Sequence, residues 1–317
     1  MFQTGGLFRP FPVQDGPSLN VLGAVMHPGV RGMFVRSTGR ADHDPQWLAN
    51  SGRLFPTVAA ALIEARSAKC DVVNVLPGHV ETISTADHWA DLVAGTKIVG
   101  WGTGTERPQI TWNAATATIL LNVANVNLIG LNLYMAGDPA STTALTVAAP
   151  ITVSAAGCGF YDCFMHVGVD ANQIVTKAIT GTNAADYLTF SGCHMYGATA
   201  AECTTVLEIL GSDFLRMYNT HIQAGTSSTT VGVMRLNATA LLGGYVGNCS
   251  FVNRKALSVH AVTGVAASAG VCENTNFGIL DNATLVGWET KADWMFYRCH
   301  TVNLTGETGA ATTVVST

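Results

Sequence analysis

Charge is scarce in this 317-residue chain. Asp, Glu, Lys and Arg together make up 12% of it, about half the share of an ordinary soluble domain. With so few charged residues to face water, much of the chain must lie inside something. The basic residues number 16 against 21 acidic ones, for a net charge of −5. They are scattered, so the basic footprint of a nucleic-acid binder is missing and nucleic acid is excluded as a partner. Long apolar runs are missing too. Hydrophobic residues reach 48%, yet Gly, Asn, Thr and Ser break them well before the roughly 18 in a row that a membrane helix needs. The eight cysteines lack a repeated C-x2-C spacing, which argues against zinc, and no cofactor or metal is expected. Residues 1–6 carry no basic and apolar leader, so the expectation is folding in a reducing cytoplasm with free, buried thiols. On that expectation the sequons at Asn237, Asn248, Asn282 and Asn303 are chance products of an Asn- and Thr-rich chain.

What is present is a repeat. From about residue 120 a small or thiol residue recurs at Leu131, Cys163, Cys193, Thr220, Cys249, Thr275 and Cys299. Three residues before each stands a member of an apolar column: Leu128, Phe160, Phe190, Met217, Val246, Cys272 and Phe296. Two residues after each stands a second column: Leu133, Met165, Met195, Ile222, Phe251, Phe277 and Thr301. Immediately before the anchor come Gly130, Asp162, Gly192, Asn219, Asn248, Asn274 and Arg298. All but the last are residue types that tolerate left-handed backbone, so a sharp corner is predicted there. Strand, one-residue corner, strand, then a looser remainder of the coil describes one rung of a solenoid. Neighbouring rungs must stack to bury their apolar faces. The competing antiparallel sandwich expects hairpin turns every 8–12 residues and no fixed corner column. The fold class expected is all-β, a right-handed single-stranded parallel β-helix.

Ahead of the repeat, residues 54–65 read as a helix with Thr57 as N-cap and an apolar stripe through Val58, Leu62 and Ala65. Residues 71–83 follow as strand, Pro77-Gly78 turn and strand. This helix and strand pair resembles the opening of pectin-lyase-like β-helix proteins, in which a short helix caps the open end of the solenoid. Phe34-Val35-Arg36-Ser37-Thr38-Gly39 and Lys97-Ile98-Val99-Gly100-Trp101-Gly102-Thr103-Gly104 resemble, more loosely, a subgroup among the structural proteins of tailed bacteriophages. The resemblance implies a non-catalytic virion component assembled in the host cytoplasm: a capsid decoration or cement protein or a head spike. Such a protein is expected to be a homotrimer bound to the major capsid protein or another virion protein. The domain boundaries expected are an attachment arm over 1–50, a β-helix over 51–305 with its capping helix near 57–68, and a C-terminal tail over 306–317. The arm holds five of the ten prolines and offers Phe2, Leu7, Phe8, Phe11 and Met33 as docking residues.

Enzymes of the resembled family cleave acidic polysaccharides with clustered carboxylates, so the alternative is a tail spike or another protein that binds or depolymerises polysaccharide. The repeat offers no such cluster. Asp162 sits in the corner column, where turn formation accounts for it, and Asp170, Asp186 and Asp213 read as separate rungs at different offsets. Arg216, Arg235 and Arg254 match no catalytic pattern, so no catalytic residue is assigned. One outward column stands out: His194, His221 and His300 each follow the anchor by one residue, with Phe164, Ser250 and Asn276 at the same offset. It is either a ligand site or a solvated or inter-subunit ladder. Residues 84–120, with Trp89, Trp101 and Trp112, resist alignment to the rung pattern.

Overall fold

The computed structural model describes residues 31–37, 53–303 and 312–313, except for 68, 70, 138–142, 169–170, 199–201, 238–240, 256–258, 265–267, 280–287 and 289–292. The chain forms a parallel β-solenoid of three sheets. Sheet A has eleven strands and runs from Leu54–Phe55 and Gly32–Val35 through Val72–Val75 to Asp293–Tyr297. Sheet B has twelve, including the run from Val80–Ile83 to His300–Asn303, and sheet C has six, from Ile119–Leu121 to Val262–Thr263. A continuous hydrophobic core fills the space between them.

The two apolar columns run down the inside of sheets A and B in unbroken register. Leu128, Phe160, Phe190, Met217, Val246, Cys272 and Phe296 are successive pairing partners. So are Leu133, Met165, Met195, Ile222, Phe251, Phe277 and Thr301. Like side chains stack on like: the Phe160 and Phe190 rings lie 5.1 Å apart and nearly parallel. Burying such a ring contributes about 1.5–3 kcal/mol, and most coils place a large apolar group in each column, Cys272 and Thr301 being the exceptions.

Residues 84–120 complete a coil. Lys97–Gly100 pairs with Val72–Val75 and with Asn127–Ile129, and Gln109–Trp112 joins Val80–Ile83 to Asn132–Tyr134. The pattern is hidden because the one-residue corner is here expanded into residues 101–108, which include a short 3-10 turn at Gly104–Glu106.

Both ends of the core are closed, one by a helix and the other by aromatics. At the N-terminal end the helix Val58–Leu62 lies on the first coils with Val58, Ala61 and Leu62 buried, and the Thr57 hydroxyl accepts from the Ala60 N–H. The helix is shorter than the expected 57–68. After Leu62 the bonds tighten to three-residue spacing, Glu64 N–H to Ala61 and Ala65 N–H to Leu62, and Arg66 is drawn onto buried Asp71 by its backbone and guanidinium. At the other end Trp288, Trp294 and Phe296 pack together against Phe277.

Two boundaries differ from expectation. Met33 does not belong to an arm: it is buried in Gly32–Val35, paired with Val73 in sheet A. An apolar alternation flanked by polar residues suits a sheet strand better than a docking segment. In the tail, Thr312–Thr313 returns antiparallel onto His300 and Thr301 and so extends sheet B. Phe2, Leu7, Phe8 and Phe11 lie outside the described residues.

Candidate functional site

Every member of the corner column has positive φ: Gly130 64°, Asp162 50°, Gly192 67°, Asn219 47°, Asn248 53°, Asn274 46° and Arg298 51°. The bend does not interrupt hydrogen bonding. The corner N–H of Gly130, Asp162, Gly192, Asn219, Asn248 and Asn274 each donates to a carbonyl of the following coil, as from Asp162 to Ser191 and from Asn274 to Tyr297. Sheets A and B are thereby continuous around the corner. Asp162 also takes an ion pair from Arg107 at 3.0 Å, and the Arg107 guanidinium covers the Phe164 ring at 4.7 Å.

A second column of positive φ, between sheets C and A, escapes the sequence reading: Gly95, Asn125, Gly157, Tyr187, Phe214 and Gly243. Its N–H groups also bond to the next coil, from Tyr187 to Asp213 and from Phe214 to Leu242. Glycine and asparagine tolerate this geometry, but Tyr187 at 60° and Phe214 at 57° are bulky residues for which it is strained. The strain holds both rings outward. They are 46% and 41% exposed and stack on each other at 4.8 Å, 8° from parallel. Gly243 makes room, since a Cβ there would meet the Phe214 ring at 2.8 Å. Arg216 covers Tyr187, and Leu242, Tyr218, Met295 and Tyr297 continue the exposed apolar surface along sheet A.

This column also corrects the reading of Asp186 and Asp213. They occupy the same offset in consecutive coils: Asp186 Oδ1 accepts the Asp213 N–H at 2.9 Å, and Asp213 Oδ1 accepts the Leu242 N–H at 2.9 Å. Both carboxylates seal the corner that presents Tyr187 and Phe214. Asp170 lies outside the described residues.

The outward histidines are only partly brought together. His194 and His221 are direct pairing partners with ring centroids 6.2 Å apart. His300 pairs with Asn276, so the coils of Ser250 and Asn276 separate it from His221. Around them sheet B carries side-chain ladders: Phe164 stacks on His194 at 4.9 Å, and Tyr134 on His166 at 4.2 Å. Burial lowers the His166 pKa; burial and then the neighbouring His221 lower that of His194. Both therefore favour the neutral, stacked form. No group of three metal-ligating side chains occurs among the described residues.

Two buried carboxylates were missed because most of their partners lie outside their own column; Arg235, the register partner of Glu208, is the exception. Glu208 faces outward from sheet C, yet it is 1% exposed. Lys177 Nζ meets it at 2.6 Å, Asn237 at 3.2 Å and Arg235 at 3.6 Å. Glu81 accepts from the Val58 N–H at 2.6 Å and the Trp89 indole at 3.3 Å, and it holds His79 Nε2 at 3.2 Å. Ser37 Oγ meets the other ring nitrogen of His79 at 3.0 Å while bonding both backbone groups of Val80. The Ser37, His79 and Glu81 chain thus clips the first sheet A strand to the free edge of Val80–Ile83. Both oxygens of each carboxylate are engaged by fixed donors, an arrangement suited to anchoring. The seven described cysteines are free and buried. Comparison with family models, with curated proteins and with solved structures finds no match to this chain.

Proposed function

We propose that the protein is a non-catalytic structural component of a tailed-bacteriophage particle, a capsid decoration, cement or head-spike protein that self-associates as a trimer and binds the virion lattice. The observation that carries this reading is the strained, exposed pair Tyr187 and Phe214 at the edge of an apolar sheet A face. Backbone strain persists only where the surroundings enforce it, and it concentrates at functional positions. Tyr218, Met295 and Tyr297, together with Arg216, supply the aromatic, Met and Arg composition of interface cores. Arg216 and Glu273 on the same face carry both signs of charge, as a surface that meets its own copy requires. The engagement of both oxygens of Glu81 and of Glu208 by fixed donors supports a structural over a hydrolytic reading, and the loose resemblance of residues 34–39 and 97–104 supports the particle.

Sedimentation of the purified chain tests the self-association. The expected result is a trimer at micromolar concentration that Phe214→Gly converts to monomer while raising the melting temperature, because glycine removes both the docking ring and the strain. A wild-type monomer at high micromolar concentration would count against the reading, as would a Phe214→Gly trimer of unchanged affinity. Imaging of particles with the protein bound then tests the lattice.

A further inference from the structure

The C-terminal end of the solenoid brings two thiols face to face. Three anchor cysteines aim at the same place in the coil before their own. The Cys163 thiol donates to the Leu128 carbonyl at 3.5 Å, the Cys193 thiol to the Phe160 carbonyl at 3.3 Å and the Cys299 thiol to the Cys272 carbonyl at 3.4 Å. In the first two cases the residue met there is a leucine or a phenylalanine. In the third it is a second cysteine, and the two sulfurs lie 3.6 Å apart.

Packing does not ask for a thiol at Cys272. Its column otherwise holds Leu128, Phe160, Phe190, Met217, Val246 and Phe296, and a smaller side chain in so enclosed a position forfeits buried apolar area. The anchor column, by contrast, takes Thr220 and Thr275 as well as cysteine. Cys272 therefore departs from its own column at the place where the anchor thiol of the next coil arrives. The pair also sits where the stack gives most easily. Asp293–Tyr297 is the last strand of sheet A, so drawing the sulfurs from 3.6 Å to the roughly 2.05 Å of a covalent bond moves an end coil rather than one clamped on both sides. The hydrogen bond between the two thiols lowers Cys299 to about 7, which supplies a thiolate near neutral pH.

We propose that Cys272 and Cys299 are a redox-controlled cross-link, closed by a peroxide, that locks the last two coils together. The Cys299 thiolate attacks one peroxide oxygen and breaks the O–O bond, giving a sulfenic acid, and the departing hydroxide takes up a proton as water. The Cys272 sulfur then attacks the sulfenic sulfur. Its proton leaves with the hydroxyl as a second water, and the S–S bond forms. Two thiols are oxidised and one peroxide is reduced to two waters. In a reducing compartment the pair stays open. The cross-link does not depend on the self-association reading. It joins residues 27 apart in sequence, so it restricts the chain once the end coil opens. Treatment of the reduced full chain with hydrogen peroxide, followed by alkylation in denaturant and peptide mass analysis, tests it. Cys272 joined to Cys299 should be the predominant linked peptide, and the melting temperature should rise by roughly 5 °C and fall back on adding a dithiol reductant. Cys272→Val and Cys299→Thr each install a residue that the same column holds elsewhere. Both should lose the linked peptide and the rise; should one fail to fold, the other decides. The proposal is overturned if peroxide yields no Cys272 to Cys299 peptide, or joins Cys163 to Cys193 in preference. A linked chain that melts no higher, or a rise that persists in the variants, overturns it as well.

Discussion

At the scale of single residues, this solenoid turns on backbone torsions that most side chains resist. Six corner positions between sheets A and B hold Gly, Asp or Asn, but the seventh holds Arg298 at φ 51°. A non-glycine residue in left-handed geometry costs about 1–2 kcal/mol, and part of that is returned as chain entropy when glycine replaces it. Arg298→Gly should therefore stabilise the fold by about 0.5–1 kcal/mol, read as an upward shift of the urea midpoint with unchanged slope. Asn248→Val, by contrast, should destabilise it by about 1–2 kcal/mol. The corner column was legible in the sequence because its residue types announce their torsion. The second column was not, since Tyr187 and Phe214 look like ordinary apolar residues and occupy it only because the coil forces them there.

At the scale of elements, the cap depends on Glu81. Replacing it with Ala leaves the Val58 N–H and the Trp89 indole without an acceptor in a buried place, a cost of about 1–3 kcal/mol. Glu81→Gln keeps one acceptor and should lose less; equal melting temperatures for the two variants would contradict this. Sheet B responds to pH through its stacked histidines. His166 and His194 have folded pKa values lowered from 6.5, so the unfolded chain binds their protons more readily. Their contribution is complete above pH 6.5 and declines as pH falls below it. Asp71 acts in a separate, lower window: burial would raise its pKa, but hydrogen bonds from Arg66 and from the backbone outweigh that and lower it from 3.8. Its contribution is lost only as pH falls below the usual carboxylate range. Melting temperature should step down in both windows, and His166→Phe with His194→Phe should flatten the upper step alone. The inward columns of these sheets were legible from spacing. The cap network and the Glu208 cluster were hidden because most of the residues they join lie at unequal offsets, Arg235 and Glu208 being the register pair among them.

At the scale of the whole molecule, a solenoid is nearly one-dimensional. Each coil touches its neighbours, and stability is close to a sum of coil and interface contributions. The closed ends are then where opening begins, and the cysteines report on it by position. Cys163 and Cys193 sit deep in the middle of the stack, whereas Cys272 and Cys299 lie in its last two coils with sulfurs 3.6 Å apart. Burial pushes Cys203 up to about 12 and Cys249 up to about 11, which keeps them protonated and slow to react. The hydrogen bond shared with Cys272 lowers the Cys299 thiol to about 7. Alkylation under native conditions, followed by peptide mass analysis, should modify Cys299 first and Cys163 and Cys193 last. The order should persist at pH 8.5, where thiolate fraction matters less and access dominates. If all the cysteines were modified at one common rate, the coils would be opening together, and the aromatic plug of Trp288 and Trp294 would then hold the C-terminal end as firmly as the core.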